Sequence, residues 1–201
     1  MLSRRTLLHS ALAAGIVPAL LPTLARAARL NDDGLHVQDW WLESFLDLKQ
    51  DIEDAAAKGK RVVLSFEQRG CIYCAEMHEK HLASPVISGY IRNHFEMIQL
   101  NLFGAREITD LDGKALPEKD MARKWAVTTT PTLFFLPPTP GSASVKDAAP
   151  ARMRGLLPPP AFLAMFRFVA EKAYEKGEFP AYARQHEADL AKAIAAGTPI
   201  N

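Results

Sequence analysis

The chain has 201 residues, 48% of them apolar and 23% charged, with a formal net charge of +1. That length and apolar content suffice for one domain with a real core and no stapling by metals or multiple disulfides. The near balance of charge excludes the concentrated basic stripe that phosphate binding requires, and nucleic acid with it as a partner.

Residues 1–27 read as a signal peptide rather than as part of the fold. Arg4 and Arg5 form a basic n-region, the stretch 7–24 is mostly apolar but broken by Pro18 and Pro22, and Ala25-Arg26-Ala27 offers small residues for cleavage near Ala27. Ser3-Arg4-Arg5-Thr6-Leu7-Leu8 approximates a twin-arginine signal, with the ordinary secretory route and an uncleaved membrane anchor as alternatives. Cleavage removes three arginines and no acid, which moves the net charge from +1 to −2. The expectation is an exported, periplasmic protein.

The order of elements follows from periodicity. Val37, Trp41, Phe45, Leu48, Ile52 and Ala55 recur at steps of three and four, which predicts a helix ending near Gly59. The β-branched run Val62–Phe66 predicts a buried strand. A helix starts at Cys71 and runs to about His81, Ser84-Pro85 looks like a cap and first turn restarting it, and a second strand covers Phe95–Leu102. Gly104–Leu116 is polar and turn-like, with Asp110-Leu111-Asp112-Gly113 read as a plain turn rather than a calcium loop, because the bidentate acid is missing at the required distance. A short helix is predicted over Pro117–Trp125, a third strand over Thr132–Leu136, a hairpin loop over Pro137–Pro150 and a return strand over Ala151–Arg154. Phe162, Met165, Phe166, Val169 and Ala173 mark another amphipathic helix, and Pro180–Ala196 a weaker last one. The pattern fits a compact α/β layer structure: a domain over 28–177 and a C-terminal helical extension over 178–201.

The chain has two cysteines, at Cys71-Ile72-Tyr73-Cys74. A thiolate on the first can attack a disulfide, and a second thiol three residues on can resolve the mixed disulfide. A bridge across so short a loop constrains the unfolded chain little, so a purely structural role is the weaker reading. At a helix N-terminus Cys71 meets unpaired amides and the positive end of the helix dipole, both of which favour thiolate. Cys74, one turn inside, suits a resolving thiol. The rival reading is copper or zinc binding by Cys71, Cys74, His78 and His81. On a continuous helix these fall within about an 80° stripe, but Cys71 and His81 stand roughly 15 Å apart along the axis, so at best Cys71, Cys74 and His78 share an ion with an outside ligand.

With the pair after a strand and Thr130-Pro131 at the entry to a later one, the chain resembles the thioredoxin superfamily from about Asp39 to Lys176. Phe66-Glu67-Gln68, Asp110-Leu111-Asp112-Gly113-Lys114, Thr129-Thr130-Pro131-Thr132 and Arg152-Met153-Arg154-Gly155 are more narrowly similar to exported thioredoxin-like proteins of bacterial sulfur-oxidation systems, the SoxW-like group. The resemblance implies a thioredoxin fold, a central mixed sheet flanked by helices, with an N-terminal signal segment and an extra C-terminal helix. It implies a cis Pro131 opposite Cys71, and Thr130 main-chain groups offered to an extended substrate. It also implies a monomeric thiol:disulfide oxidoreductase that needs no bound cofactor, reduces disulfide-containing clients in sulfur oxidation or cytochrome maturation, and draws electrons from a membrane thiol carrier. A disulfide oxidase or isomerase role uses the same residues in the other direction.

The chain departs from classical thioredoxins at Gly70, where they carry tryptophan, at Ile72-Tyr73, where they carry glycine-proline, and at Ser65, where they bury an aspartate. Glu67, two residues on along the same strand face, is the local acid able to substitute for that aspartate, with a solvated strand-end carboxylate as the alternative. Tyr73 and Trp125 either line a docking surface or pack, and Trp40 and Trp41 are expected in the core. His36, His94 and His186 have no assigned partner.

Overall fold

A computed structural model describes residues 29–200, so the signal peptide and its cleavage site lie outside the described residues. A two-residue hairpin, β1 (Arg29–Leu30) and β2 (His36–Val37), opens the described chain. Helix α1 (Leu48–Ala57), strand β3 (Arg61–Glu67), helix α2 (Ile72–Glu76), a π-helical turn over Met77–His81, helix α3 (Pro85–His94) and strand β4 (Phe95–Asn101) follow. Then come a small hairpin, β5 (Glu107–Thr109) and β6 (Ala115–Pro117), and helix α4 (Glu118–Lys124). The second half holds strand β7 (Thr132–Phe135), the short helix α5 (Val145–Ala148), strand β8 (Ala151–Arg154), helix α6 (Pro159–Ala170), a 3₁₀ turn and the C-terminal helix α7 (Phe179–Ala196).

The four long strands form one mixed sheet in the order β4-β3-β7-β8, with β3 parallel to β4 and antiparallel to β7. Side chains alternate across it. Val62, Leu64 and Phe66 pack with Ile98, Leu100, Trp125 and Phe134 under α1 and α4, whereas Val63 packs with Met97, Leu133, Phe135, Phe162 and Phe166 under α3 and α6. Full burial of both faces explains why β3 reads as a continuous apolar run rather than an alternating one. Helix α7 adds Ala183 and Leu190 to the second of these cores.

Three expectations need correction. The first helix begins at Leu48, not near Val37: Leu46 takes a left-handed backbone (φ 64°), and the Asp47 side chain caps the helix by accepting the Lys49 and Gln50 amides. Phe45 is consequently fully exposed, while Val37 belongs to β2. The stretch 104–116 contains the β5–β6 hairpin, whose signal is faint because only Ile108 of β5 is buried. The loop after β7 carries the short helix α5, fixed by the Asp110 carboxylate, which accepts the Val145 amide and the Ser144 hydroxyl.

That same carboxylate, fully buried, also accepts Lys124 Nζ at 2.7 Å, Trp125 Nε1 at 2.8 Å and the Leu111 amide. Burial pushes the Asp110 carboxyl up, but the hydrogen bonds from Lys124, Ser144, Val145 and Trp125 outweigh it and hold it below its ordinary value of 3.8. The folded value being depressed, this contribution is complete above pH 3.8 and is lost as pH falls through the folded value. Replacing Asp110 by Ala leaves several buried donors without an acceptor, and is expected to cost about 3 kcal/mol in urea unfolding at neutral pH, with the difference from the parent shrinking in strong acid.

Candidate active site

The sheet delivers both halves of the site to one end. Strand β3 ends at Glu67, and the loop 68–71 then turns back through Gly70, whose φ of 73° is left-handed and favours glycine. Phe66 lies opposite Thr132 in the antiparallel register, so Pro131, one residue before β7, meets the carboxyl end of β3. The Thr130–Pro131 peptide is cis, and the Pro131 carbonyl accepts the Gly155 amide of the chain leaving β8.

Cys71 is the N-cap of α2 and is joined by a disulfide to Cys74. Its Sγ accepts the Cys74 amide at 3.0 Å, and its carbonyl accepts the Ala75 amide. Cys71 is partly exposed, whereas Cys74 is 1% exposed. Between them Ile72 and Tyr73 turn outward, 73% and 54% exposed. Phe103 is exposed just beyond β4, at the same end of the sheet.

Beneath the disulfide lies a polar cluster within the apolar face. Glu67 is fully buried, so it is no solvated strand-end carboxylate. Its oxygens accept Ser65 Oγ at 2.9 Å and Gln99 Nε2 at 3.1 Å, and both lie 3.1 Å from His78 Nε2. Ser65 and Glu67 share a strand face, and Gln99 pairs with Ser65 in register, which is why the three side chains meet. His78, fully buried by side chain, is one turn beyond Cys74 on the same helix. Its ring packs 5.0 Å from that of Trp41 and 5.8 Å from that of His36.

The π turn is closed by the Leu82 amide on the Met77 carbonyl, and His78 and His81, three residues apart within it, are both buried. His81 Nε2 reaches the Leu157 carbonyl at 2.9 Å, away from His78, and its ring packs on Phe162. The two imidazoles serve different partners, so His81 does not join Cys71, Cys74 and His78 in one ligand set, and His78 is bonded to Glu67 and Gln38. Trp125 does not line the site either. It is fully buried on the opposite face of the sheet, its indole held by Asp110. Trp40 and Trp41 pack, half-buried, against the core on the α3 and α6 side. The contributions of Gln38, Gln99 and His78 carry no motif of their own in the sequence. The one available signal was the four-residue step from Cys74 to His78.

A thioredoxin-like domain family model matches residues 48–170. Among solved structures, the chain is similar to a thioredoxin-fold protein from Helicobacter pylori, at 21% identity and a TM-score of 0.50 over 75% of this chain and 96% of that one. It is also similar to a thioredoxin from Thermus thermophilus, at 26% identity and a TM-score of 0.49 over 66% and 90%. A third likeness is to a DsbH oxidoreductase, at 18% identity and a TM-score of 0.44 over 79% and 95%. Comparison with curated proteins gives no match.

The burial difference between the cysteines is directly measurable. In the reduced protein, limiting iodoacetamide is expected to alkylate Cys71 at least about tenfold faster than Cys74, as read by peptide mass spectrometry. Equal labelling would contradict the division of roles.

Proposed function

The chain belongs to the thioredoxin-like domain family and is a thiol:disulfide oxidoreductase, and from that premise we propose that it acts as a periplasmic reductant of disulfides in exported client proteins. The observation that carries this reading is the asymmetry of the couple: a partly exposed Cys71 at a helix cap, joined to a buried Cys74.

The cycle balances without a bound cofactor. The Cys71 thiolate attacks one sulfur of a client disulfide, forming a Cys71–client bond and releasing the second client sulfur as a thiolate. Cys74, deprotonated, attacks Cys71 Sγ, forming the intramolecular disulfide and releasing the first client sulfur. The Cys74 proton passes to the Glu67 carboxylate and then to the departing client thiolate. Client reduction thus consumes the dithiol, and two electrons and two protons from a membrane thiol carrier restore it. Thr130 and Pro131 lie at the carboxyl end of β3, from which the couple follows, and in this reading Thr130 main-chain groups receive an extended client segment and exposed Tyr73 adds apolar contact.

The periplasmic assignment rests on the targeting features of residues 1–27. Among the described residues no helix is long and apolar enough to cross a membrane. The choice of clients, sulfur-oxidation or cytochrome-maturation proteins with exposed disulfides, rests on the resemblance to the SoxW-like group, and the protein is taken to work as a monomer.

Two measurements test the reading. A Cys74→Ser variant is expected to accumulate mixed disulfides through Cys71, released by dithiothreitol, while Cys71→Ser accumulates none; absence of any Cys71 adduct would sink the mechanism. The equilibrium potential of the Cys71–Cys74 couple is expected near −270 mV, the thioredoxin end of the scale, and a value near −120 mV would make the protein an oxidant instead.

A further inference from the structure

The residues preceding the matched domain build part of the site. The family match starts at residue 48, yet the segment 29–44 wraps the β4 edge of the sheet: the Leu42 amide donates to the Met97 carbonyl, and Gln99 Nε2 donates to the His36 carbonyl at 2.6 Å. Arg69, two residues before Cys71, donates to the Asp33 carbonyl at 2.9 Å, and a side chain at Gly34 would stand 2.8 Å from Arg69 Nε. Gln38 reaches deepest. Its Nε2 lies 3.3 Å from His78 Nδ1 and 3.4 Å from the His78 carbonyl.

These contacts fix a tautomer. A carbonyl oxygen can only accept, so the Gln38 atom that faces both the His78 carbonyl and Nδ1 is the amide nitrogen, and Nδ1 must accept as well. The imidazole proton then sits on Nε2, which donates to Glu67. The same logic orients Gln99, whose nitrogen serves the His36 carbonyl and Glu67 together. The Glu67 carboxylate consequently faces three donors, Ser65, Gln99 and His78, and no cation among them. Cys74 and His78, four residues apart and both buried, share one helix face, so the carboxylate bonded to His78 is the acid placed to take the proton of the resolving thiol.

We infer that Gln38 and His78 are positioning residues for the resolving step: Gln38 holds His78 as the Nε2–H tautomer, and His78 in turn holds the Glu67 carboxylate toward Cys74. The inference rests on the Glu67 role proposed above and extends it to a segment outside the family domain. The titratable groups around His78 are Glu67 from β3 and His36 from β2, with Glu79 3.9 Å from the His36 Nδ1, and the neutral Trp41 ring packs beside them. Of these only Glu67 bonds to Nε2, and only Gln38 bonds to Nδ1.

The test uses the mature protein. Imidazole ¹⁵N spectra of the oxidised form at pH 7.5 are expected to show His78 with a protonated Nε2 and an unprotonated Nδ1. Gln38→Leu should mix the tautomers, and Gln38→Glu, which places an acceptor at Nδ1, should protonate that nitrogen. Release of a model thiol from a preformed Cys71 mixed disulfide should slow on the order of tenfold in Gln38→Leu, and its pH profile should shift, a part of the full effect of a positioned base. His78→Gln, which keeps an N–H toward Glu67, should slow release less than His78→Leu. A wild-type His78 protonated at Nδ1 overturns the inference, as does a Gln38→Leu protein with unchanged tautomer and release rate. If Gln38→Leu fails to fold, the His78→Gln and His78→Leu pair decides alone, and equal rates overturn it. The tautomer is read without client or turnover, so it stands or falls separately from the proposed reductase activity. Glu67→Gln tests the acid separately: wild-type release in that variant would remove the proton-acceptor reading while leaving the tautomer result intact.

Discussion

The fully buried Glu67 carboxylate sets the terms for everything around it. A carboxylate buried at the end of a strand is tolerable only when it is hydrogen-bonded, and the fold supplies a donor from its own strand, one from β4 and one from the helix after the cysteines. Each donor constrains a different element. Ser65 requires the alternation of β3 to place it on the α3 side, Gln99 requires the parallel register of β4, and His78 requires the helical step of four residues that sets it on the buried face shared with Cys74. The network therefore ties the redox helix to the central pair of parallel strands.

A second buried carboxylate does analogous work on the far side of the sheet. Asp110 gathers Lys124, Trp125, Ser144 and Val145, joining α4, the loop after β7 and the turn of the small hairpin. Arg152 completes that side, donating to the Trp125 and Ala126 carbonyls while its guanidinium lies 4.4 Å over the Phe134 ring. The Asp110–Lys114 motif behind the narrower family resemblance, and Arg152 from another, are thus accounted for by packing of this face. They carry stability, and the chemistry is left to the opposite face.

Segment 29–44 gives the site a roof drawn from outside the matched domain. It shields the exposed edge of β4, anchors Arg69 in the loop that presents Cys71, and stacks Trp41 and His36 on the His78 ring. The surroundings of the His78 and Glu67 pair are therefore shared between the matched domain and the segment that precedes it.

Much of this was legible in advance. Strand β3, the cysteine pair at a helix start, the return strand 151–154 and helices α6 and α7 follow from local pattern, because side-chain periodicity and thiol spacing are set over a few residues. The redox couple needed no partner from elsewhere. The extent of α1 was not legible, since Trp41 and Phe45 keep helical spacing and only the left-handed Leu46 and the Asp47 cap break it. Nor were the roles of His78, Gln38 and Gln99, or the burial of Glu67. These depend on strand register and on a segment forty residues from its contact, and such long-range geometry is decided only when the chain closes its core around a charge that has to be satisfied.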